Sequence, residues 1–555
     1  MSSSVFGIFQ RRPARSGIPA LSIRAPQCFW GGPPLRERGT PAVPVLFDRS
    51  SASKDTQTNV HWRTLYKSNF TDRTDPIGWF RMATARQDLK TRDFELLTER
   101  RAGNALSAPV PAGQFVADHF RCAPDLINLS YSVGPAQPSG YFRFGPELTC
   151  YGQCASGIPQ PQVTLPLHDV LPEVTTSGST VQLPFDPCQV VDNLRWERYA
   201  RGGSETASTT GGLVRNLYYF LRPLMPVAVR QHLQRMHLRG WDKVPFPSWP
   251  VDRTADRILE RLLVFAMKAR GLERIPFIWF WPDSARSCAI VTHDVETATG
   301  RDFCTQLMDL NDSFGIKTSF QIIPEQRYAV KPSLLEHIRR RGFEVNIHDL
   351  NHDGHLFDNK EEFERRVQRI NEYGEKFGAQ GFRSAVLYRN EDWFDALDFS
   401  YEMSIPNVAH LDPQRGGCCT VLPYFIGNLL ELPLTMTQDY SLFHILSDYS
   451  MTLWEKQMSL IREGHGLISF NIHPDYIIER KARGVYTELL QSLSRLRSEQ
   501  ETWLALPGEV AAWWRQRQGM KLVSDGRNWR IDGPGCERAT LAYAVLAGDS
   551  LTYEV

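Results

Sequence analysis

The chain has 555 residues and a formal net charge of only +1 at pH 7. This length can bury a large core and allows two to four domains, and the charge excludes a global preference for nucleic acid or for an anionic membrane. Ten cysteines are dispersed along the chain, and no stretch reaches the roughly 20 apolar residues of a membrane-spanning helix. With no secretory signal pattern at the start, these features predict a cytoplasmic protein.

The N-terminal segment is predicted to be a disordered tail over residues 1–60. It contains seven prolines and little apolar periodicity, so it cannot bury enough surface to repay the entropy of ordering. Its first 47 residues hold six arginines and one acid, Glu37, a composition that resembles an organellar targeting sequence. A solvated tail, or a true start at Met82, is the favoured interpretation.

The next segments are predicted to precede the main domain. Short β-prone runs such as "SGYFRFG" indicate a small, mainly β accessory region over residues 61–201, with a helix starting at Asp186 and Pro187. The composition of residues 202–212 predicts a flexible linker. Residues 213–272 are predicted to be helical and to pack on the domain that follows. Their arginines and bulky apolar residues also fit a helix on a membrane surface, but two prolines interrupt that pattern.

Residues 273–518 are predicted to form an α/β domain, because apolar strand-like runs alternate with amphipathic helices. "IPFIWFWP" and "CAIVTHD" are predicted as its first strands, and "FEVNIHD" as a later one. Residues 519–555 alternate apolar and polar positions between glycines, which predicts a C-terminal β meander of three short strands.

Four residues indicate a divalent-metal site. Asp294 and Glu296 stand two apart at the end of an apolar strand, so they point to one side. His348 and His352 stand four apart, a spacing that puts two imidazoles on one side of a helical turn. Two histidines and one carboxylate form the three-ligand shell of an open catalytic site, which leaves the second carboxylate free to act as a base.

Other histidines are weaker candidates for this site. His355 could replace His352 as a ligand, and His293 is interpreted as a core residue beside the base. Four aromatic side chains are candidates for stacking on a sugar ring, although each is more simply explained by core packing: they are Tyr388, Trp393, Tyr440 and Trp454.

Four motifs carry a resemblance to a known family. "VTHDVE", "HDLNHDGH", "GFRSAVLYRN" and "SFNIHPD" occur in the order and approximate spacing of the polysaccharide deacetylases, the NodB homology domain of carbohydrate esterase family 4. The resemblance covers about residues 285–515. It implies a distorted (β/α)7 barrel, a zinc or similar divalent ion, and hydrolysis of an N-acetyl group on an amino sugar.

The resemblance also implies roles for individual residues. The family's first motif has two adjacent aspartates, whereas here Asp294 is followed by Val295, so Asp294 is assigned as the base and Glu296 as the metal ligand with His348 and His352. The reverse division between the two acids stays open. Arg383 matches the arginine that holds the base, and His473 matches the general acid.

Two questions about these roles stay open. Either Asp439 or Asp475 could fix the tautomer of the His473 ring. Asn351 is a candidate substrate contact, but its side chain could instead shape its own loop. The sequence and the resemblance together therefore predict a metal-dependent deacetylase of a saccharide or glycoconjugate, with zinc as the preferred ion. Hydrolysis of a small non-sugar amide and a non-catalytic saccharide-binding or assembly role are the alternatives, and no oligomeric state is indicated.

Overall fold

A computed structural model describes residues 111–132, 138–201, 227–499, 501–526 and 528–555. The predicted tail over residues 1–60 and the predicted linker over residues 202–212 lie outside these ranges. The α-helices of the described part are α1 Ala112–Phe120, α2 Pro187–Arg195, α3 Arg198–Arg201, α4 Val227–His237, α5 Thr254–Arg270, α6 Ala298–Ser313, α7 Pro332–Arg340, α8 Lys360–Phe377, α9 Thr452–Glu463, α10 Pro474–Ile477, α11 Arg480–Ser498 and α12 Pro507–Gly519.

The strands form one large sheet and four small ones among the described residues. Before the large sheet come β1 Leu129–Tyr131, β2 Gly140–Arg143, β3 Thr149–Gly152, β4 Thr175–Ser177, β5 Thr180–Leu183 and β6 Arg274–Ile278. The large sheet contains β7 Ser287–Val295, β8 Ser319–Ile322, β9 Glu344–His348, β10 Gly381–Arg383, β11 Tyr401–Glu402, β12 Tyr424–Ile426, β13 Leu429–Glu431, β14 Leu467–Ile472 and β15 Thr502–Leu504. The C-terminal strands are β16 Lys521–Ser524, β17 Trp529–Asp532, β18 Leu541–Ala547 and β19 Ser550–Glu554.

The large sheet has the order β12-β13-β11-β10-β9-β8-β7-β14, and β15 also pairs with β7. All of these pairs are parallel except β12 with β13. The sheet is curled, and the segment after β13 contacts β14 through a hydrogen bond from the Met436 amide to the Ser469 carbonyl oxygen, 3.2 Å long. The carboxyl ends of the parallel strands therefore meet at one edge, where ligand sites of α/β sheets are built.

The central strand β7 is buried along all nine residues. Such a strand needs partners on both edges, which β14 supplies on one side and β8 with β15 on the other. Side chains alternate between the two faces. Thr292 and Asp294 contact Arg383 of β10, whereas His293 lies near Asn311 and Tyr486 of the surrounding helices. The strand thus separates a polar face from a helix-covered face.

Two predictions about strands are wrong. The apolar run "IPFIWFWP" is not the first strand of the large sheet, because β6 pairs antiparallel with β18 in a separate three-stranded sheet. The C-terminal segment contains four strands rather than three, and β18 and β19 form that sheet with β6 while β16 pairs with β17. An apolar run indicates a buried strand but not the strand with which it pairs.

The region before the large sheet contains helices as well as strands. Its buried side chains, such as Phe142 and Val190, belong to one hydrophobic cluster with Trp279, Trp281 and Trp513. Residues 111–201 therefore share a core with later segments instead of forming one of their own. In the predicted helical segment over residues 213–272, the described part contains α4 and α5. None of the described helices is both long and apolar enough to cross a membrane.

Asp186 caps the helix α2 as the sequence predicts. Its side chain accepts hydrogen bonds from the amides of Cys188 and Gln189, and Pro187 occupies the first turn. We expect Asp186→Ala to lower the free energy of unfolding by about 1 kcal/mol, because those amides lose their acceptor. Denaturant unfolding measures this. Asp186→Asn, which can still cap, should lose little, and an equal loss in both variants would argue against capping.

Candidate metal centre and active site

The curl of the large sheet brings distant strands together over one site. Strands β7 and β10 have β8 and β9 between them, so a flat sheet would separate them by about 14 Å. Nevertheless Nη1 of Arg383 on β10 donates to Oδ1 of Asp294 on β7 at 2.9 Å. The same nitrogen donates to Thr292 Oγ1 at 2.7 Å. The arginine therefore spans the concave face of the sheet.

Asp294 is a buried carboxylate with both oxygens engaged. Oδ1 accepts from Arg383, and Oδ2 accepts from Nδ2 of Asn471 at 2.8 Å. Burial alone would raise the pKa of Asp294, but the charges of Arg383, His348 and His473 and the hydrogen bond from Arg383 together outweigh it and lower that pKa to about 2. The group is therefore ionised and fixed in orientation at neutral pH.

Glu296, His348 and His352 converge on one point beside Asp294. Oε1 of Glu296 lies 2.9 Å from Nε2 of His352 and 3.9 Å from Nε2 of His348. One ligand atom from each residue lies within 4.8 Å of the others. Both Nε2 atoms are buried and face the Glu296 carboxylate. Two buried imidazole nitrogens that face a carboxylate fit a tetrahedral divalent cation, so these three groups could hold a metal ion.

The two histidines are not on a helical turn, and that prediction is wrong. His348 ends β9, while His352 lies in the loop that follows and has a φ of 56°. Asp349 is also in the left-handed region, with a φ of 55°. These conformations turn the chain back so that the second imidazole reaches the first, and the two ring centroids are 4.8 Å apart. His355 is outside the cluster, and its Nδ1 lies 2.7 Å from Oδ2 of Asp358.

The Nδ1 atoms of His348 and His352 have different neighbours. Nδ1 of His348 lies 3.1 Å from the carbonyl oxygen of Arg383, which keeps a proton on Nδ1 and leaves the Nε2 lone pair towards the cluster. Nδ1 of His352 lies 3.3 Å from Nη2 of Arg327. Because an arginine only donates, this contact favours a proton on Nε2. Cation binding at His352 Nε2 would therefore require that proton to leave and Arg327 to turn away.

His473 lies on the other side of Glu296, directly after β14. Its Nδ1 is 2.7 Å from Oδ1 of Asp439, and its amide donates to the other oxygen of that carboxylate. Burial alone would lower the pKa of His473, but the charge and hydrogen bond of Asp439, together with those of Glu296, raise it well above its usual value. Nε2 then lies 3.4 Å from Glu296 Oε1. Of the two carboxylates that the sequence left open, Asp439 contacts the ring.

The predicted substrate contacts have different surroundings. Tyr440 is half-buried with its ring 5.9 Å from that of Tyr476, which lies 4.8 Å from the His473 ring. Tyr388 is half-buried in the loop after β10. Trp393 stacks with Phe357 at 6.1 Å in an aromatic cluster.

Two further candidates have roles in the fold. Asn351 accepts from the amide of Asp353 at 3.2 Å, so it shapes its own loop. Trp454 is fully buried and donates to the carbonyl oxygen of Thr437, which fits the core-packing interpretation.

Three residues near the cluster were not predicted. Asn471 stands two positions before His473, so the alternation of the strand could have placed both on one face. Tyr476 stands three positions after His473, in the short helix α10. Arg327 comes from the loop after β8, and no pattern in the sequence marks it.

No protein-family model matches the sequence, and no curated protein is significantly similar to it. Among solved structures, this chain is similar to polysaccharide deacetylases. One from Mycobacterium smegmatis, assigned as a polysaccharide deacetylase, is 17% identical with a TM-score of 0.35 and covers 43% of this chain and 93% of its own. The peptidoglycan deacetylase PdaC from Bacillus subtilis is 14% identical with a TM-score of 0.28, and it covers 42% of this chain and 94% of its own. The Puue allantoinase is 12% identical with a TM-score of 0.35 and covers 42% of this chain and 92% of its own.

Proposed function

We propose that this chain is a metal-dependent hydrolase that removes an N-acetyl group from an amino-sugar-containing saccharide or glycoconjugate. The observation that carries the proposal is the convergence of Glu296, His348 and His352 on one point between an ionised Asp294 and His473. The proposal includes a NodB-type (β/α)7 barrel for the curled sheet and a cytoplasmic location.

We assign the cation to Glu296, His348 and His352, with zinc as the first choice. Two imidazoles and one carboxylate suit zinc and leave a coordination position for water or substrate. When bound, a divalent cation would polarise the acetyl carbonyl and lower the pKa of a water towards about 7. Glu296 is the preferred carboxylate because both oxygens of Asp294 already accept hydrogen bonds.

Asp294 is assigned as the general base. Oδ2 of Asp294 lies 3.8 Å from His348 Nε2, so the carboxylate borders the position of the reacting water. Arg383 keeps the group ionised, and Asn471 fixes the second oxygen. A base so held can accept the proton of an attacking water without first reorienting.

His473 is assigned as the general acid. The leaving amine of an amide needs a proton, and His473 presents Nε2 towards the site while Asp439 holds Nδ1. The raised pKa of His473 favours the protonated imidazole, which suits an acid. The base and the acid thus approach the cation position from different strands, β7 and the end of β14.

The pH dependence of turnover tests the role of Asp439 as a positioning residue. We expect Asp439→Asn to lower the pKa of His473, because the first charge that raises that pKa is lost. The alkaline limb of the kcat/KM profile should then move to lower pH, and kcat should fall by about 10- to 100-fold. Asp475→Asn is the matched control, since Asp475 does not contact the ring. An unchanged profile in Asp439→Asn would remove this assignment.

The sugar side of the site is assigned to Tyr440 and Asn351, with Tyr388 and Trp393 as outer contacts. Tyrosine rings offer an apolar face for the C–H face of a pyranose. Tyr476 joins this group, because its ring lies between those of Tyr440 and His473.

Metal analysis and an acetate-release assay test the proposed function. Purified protein should contain about one divalent ion per chain and release acetate from N-acetylglucosamine oligomers, and a chelator should abolish the release. A stoichiometric metal without acetate release from any N-acetyl sugar would redirect the assignment to small non-sugar amides. Protein that binds oligomers but no metal would be a saccharide-binding protein, and the proposal would fail.

A further inference from the structure

The helix α4, Val227–His237, exposes an apolar face. Val229, Leu233 and Met236 are 44%, 37% and 61% exposed. They follow the i, i+4, i+7 spacing of one helical face, with exposed His232 beside them. Large apolar side chains are exposed at seven positions in the described residues, and three of these positions are on this short helix. An apolar helix face normally packs against a core. This face points outward, so packing among the described residues does not explain its composition.

The opposite face of α4 attaches the helix to the protein. Leu238, just beyond the helix, is buried, and Gln234 accepts a hydrogen bond from the hydroxyl of Tyr440. Arg235 donates from Nε and Nη2 to the carbonyl oxygen of His444 at 3.0 and 2.8 Å. Polar contacts thus hold the inner face, and the apolar face is left outward.

The sequence around α4 is basic. From Thr206 to Trp241 the sequence contains five arginines and no aspartate or glutamate. Arg235 donates to uncharged groups, the carbonyl oxygen of His444 and the hydroxyl of Ser447, so these contacts do not neutralise it. Arg239 is also exposed. An apolar stripe flanked by arginines is the composition of a helix that lies in the interface of an anionic bilayer.

We propose that the face formed by Val229, Leu233 and Met236 docks on an anionic phospholipid surface, with the helix lying in the plane of the membrane. The apolar side chains enter the headgroup boundary, and exposed Arg239, just after the helix, meets lipid phosphates. A second copy of the chain is a poorer occupant, because pairing two such faces would bring like charges together.

The docked helix also defines a substrate class, and this step rests on the proposed function. Tyr440 joins α4 to the site, since its hydroxyl bonds to Gln234 and its ring neighbours Tyr476 beside His473. The entrance to the site would then face the lipid headgroups. An amino sugar carried on a membrane lipid would present its acetyl group there.

Vesicle co-sedimentation with the full chain tests the docking and needs no activity. The protein should sediment with equimolar phosphatidylcholine–phosphatidylglycerol vesicles, and less with phosphatidylcholine alone or at high salt. The triple substitution Val229→Ser, Leu233→Ser, Met236→Ser should weaken binding at least about tenfold. The matched control is Ile158→Ser with Leu165→Ser, two other exposed positions, which should bind as the unchanged chain does.

Three results would overturn the docking proposal. The first is that the unchanged chain does not bind the anionic vesicles. The second is that the control variant loses as much binding as the triple variant. The third is a dimer in solution that only the triple substitution dissociates, which would make the face an interface between copies. Acetate release from soluble oligomers is measured separately, so failure of the proposed function and failure of docking remain distinguishable.

Discussion

Asp294→Asn should retain the bound cation and lose at least about a thousandfold in kcat, because an amide cannot accept the proton of the attacking water. Metal content by elemental analysis and acetate release by a coupled assay measure the two effects on one sample. The substitution also removes the carboxylate that pairs with buried Arg383, so stability should fall by about 3 to 5 kcal/mol. A thermal melt therefore has to accompany the assay.

Glu296→Gln is the matched control for this prediction, since it changes the neighbouring acid in the same way. It should lose the cation, whereas Asp294→Asn should keep it. Retained metal in Glu296→Gln together with lost metal in Asp294→Asn would exchange the two roles, and Asp294 would become the ligand.

His352→Ala should weaken cation binding by at least about a hundredfold, because the site loses one of its three protein ligands. Zinc affinity from competition with a chromophoric chelator measures the change directly. The loss of acetate release should follow the loss of metal and should recover in part at high zinc concentration.

His355→Ala provides the matched control three residues further along the same loop. His355 is outside the ligand cluster and pairs with Asp358, so the variant should bind zinc as tightly as the unchanged chain. Equal losses in the two variants would indicate that the loop as a whole, and not the His352 imidazole, determines the affinity.

The sequence predicts the α/β alternation of residues 273–518, the three groups of the candidate metal cluster and Asp294 beside them, for a simple physical reason. Strand alternation and the position of polar residues after strands are local properties, and parallel strands bring their carboxyl ends to one edge. Asp294 and Glu296 could therefore be placed on one side of a strand end without a structure.

Non-local geometry could not be predicted in the same way. A four-residue spacing does not distinguish a helical turn from the loop at His352, where a φ of 56° reverses the chain. The apolar run of β6 indicates burial but does not reveal that its partner is β18, more than 250 residues away. The contact of Arg327 with His352 depends on a loop conformation that leaves no periodic signal.

The ion pair between Arg383 and Asp294 links the acid sensitivity of the sheet to the carboxylate that we propose as the base. Asp294 has a pKa of about 2, roughly two units below that of an unfolded aspartate. Its charge therefore contributes about 2 to 3 kcal/mol to folding above pH 4 or so, and this contribution is lost as the pH falls towards 2. Because the pair joins β7 to β10 across two intervening strands, protonating one oxygen removes a tie across the sheet. We therefore expect the concave face to keep this tie until the pH approaches 2 and to open only there.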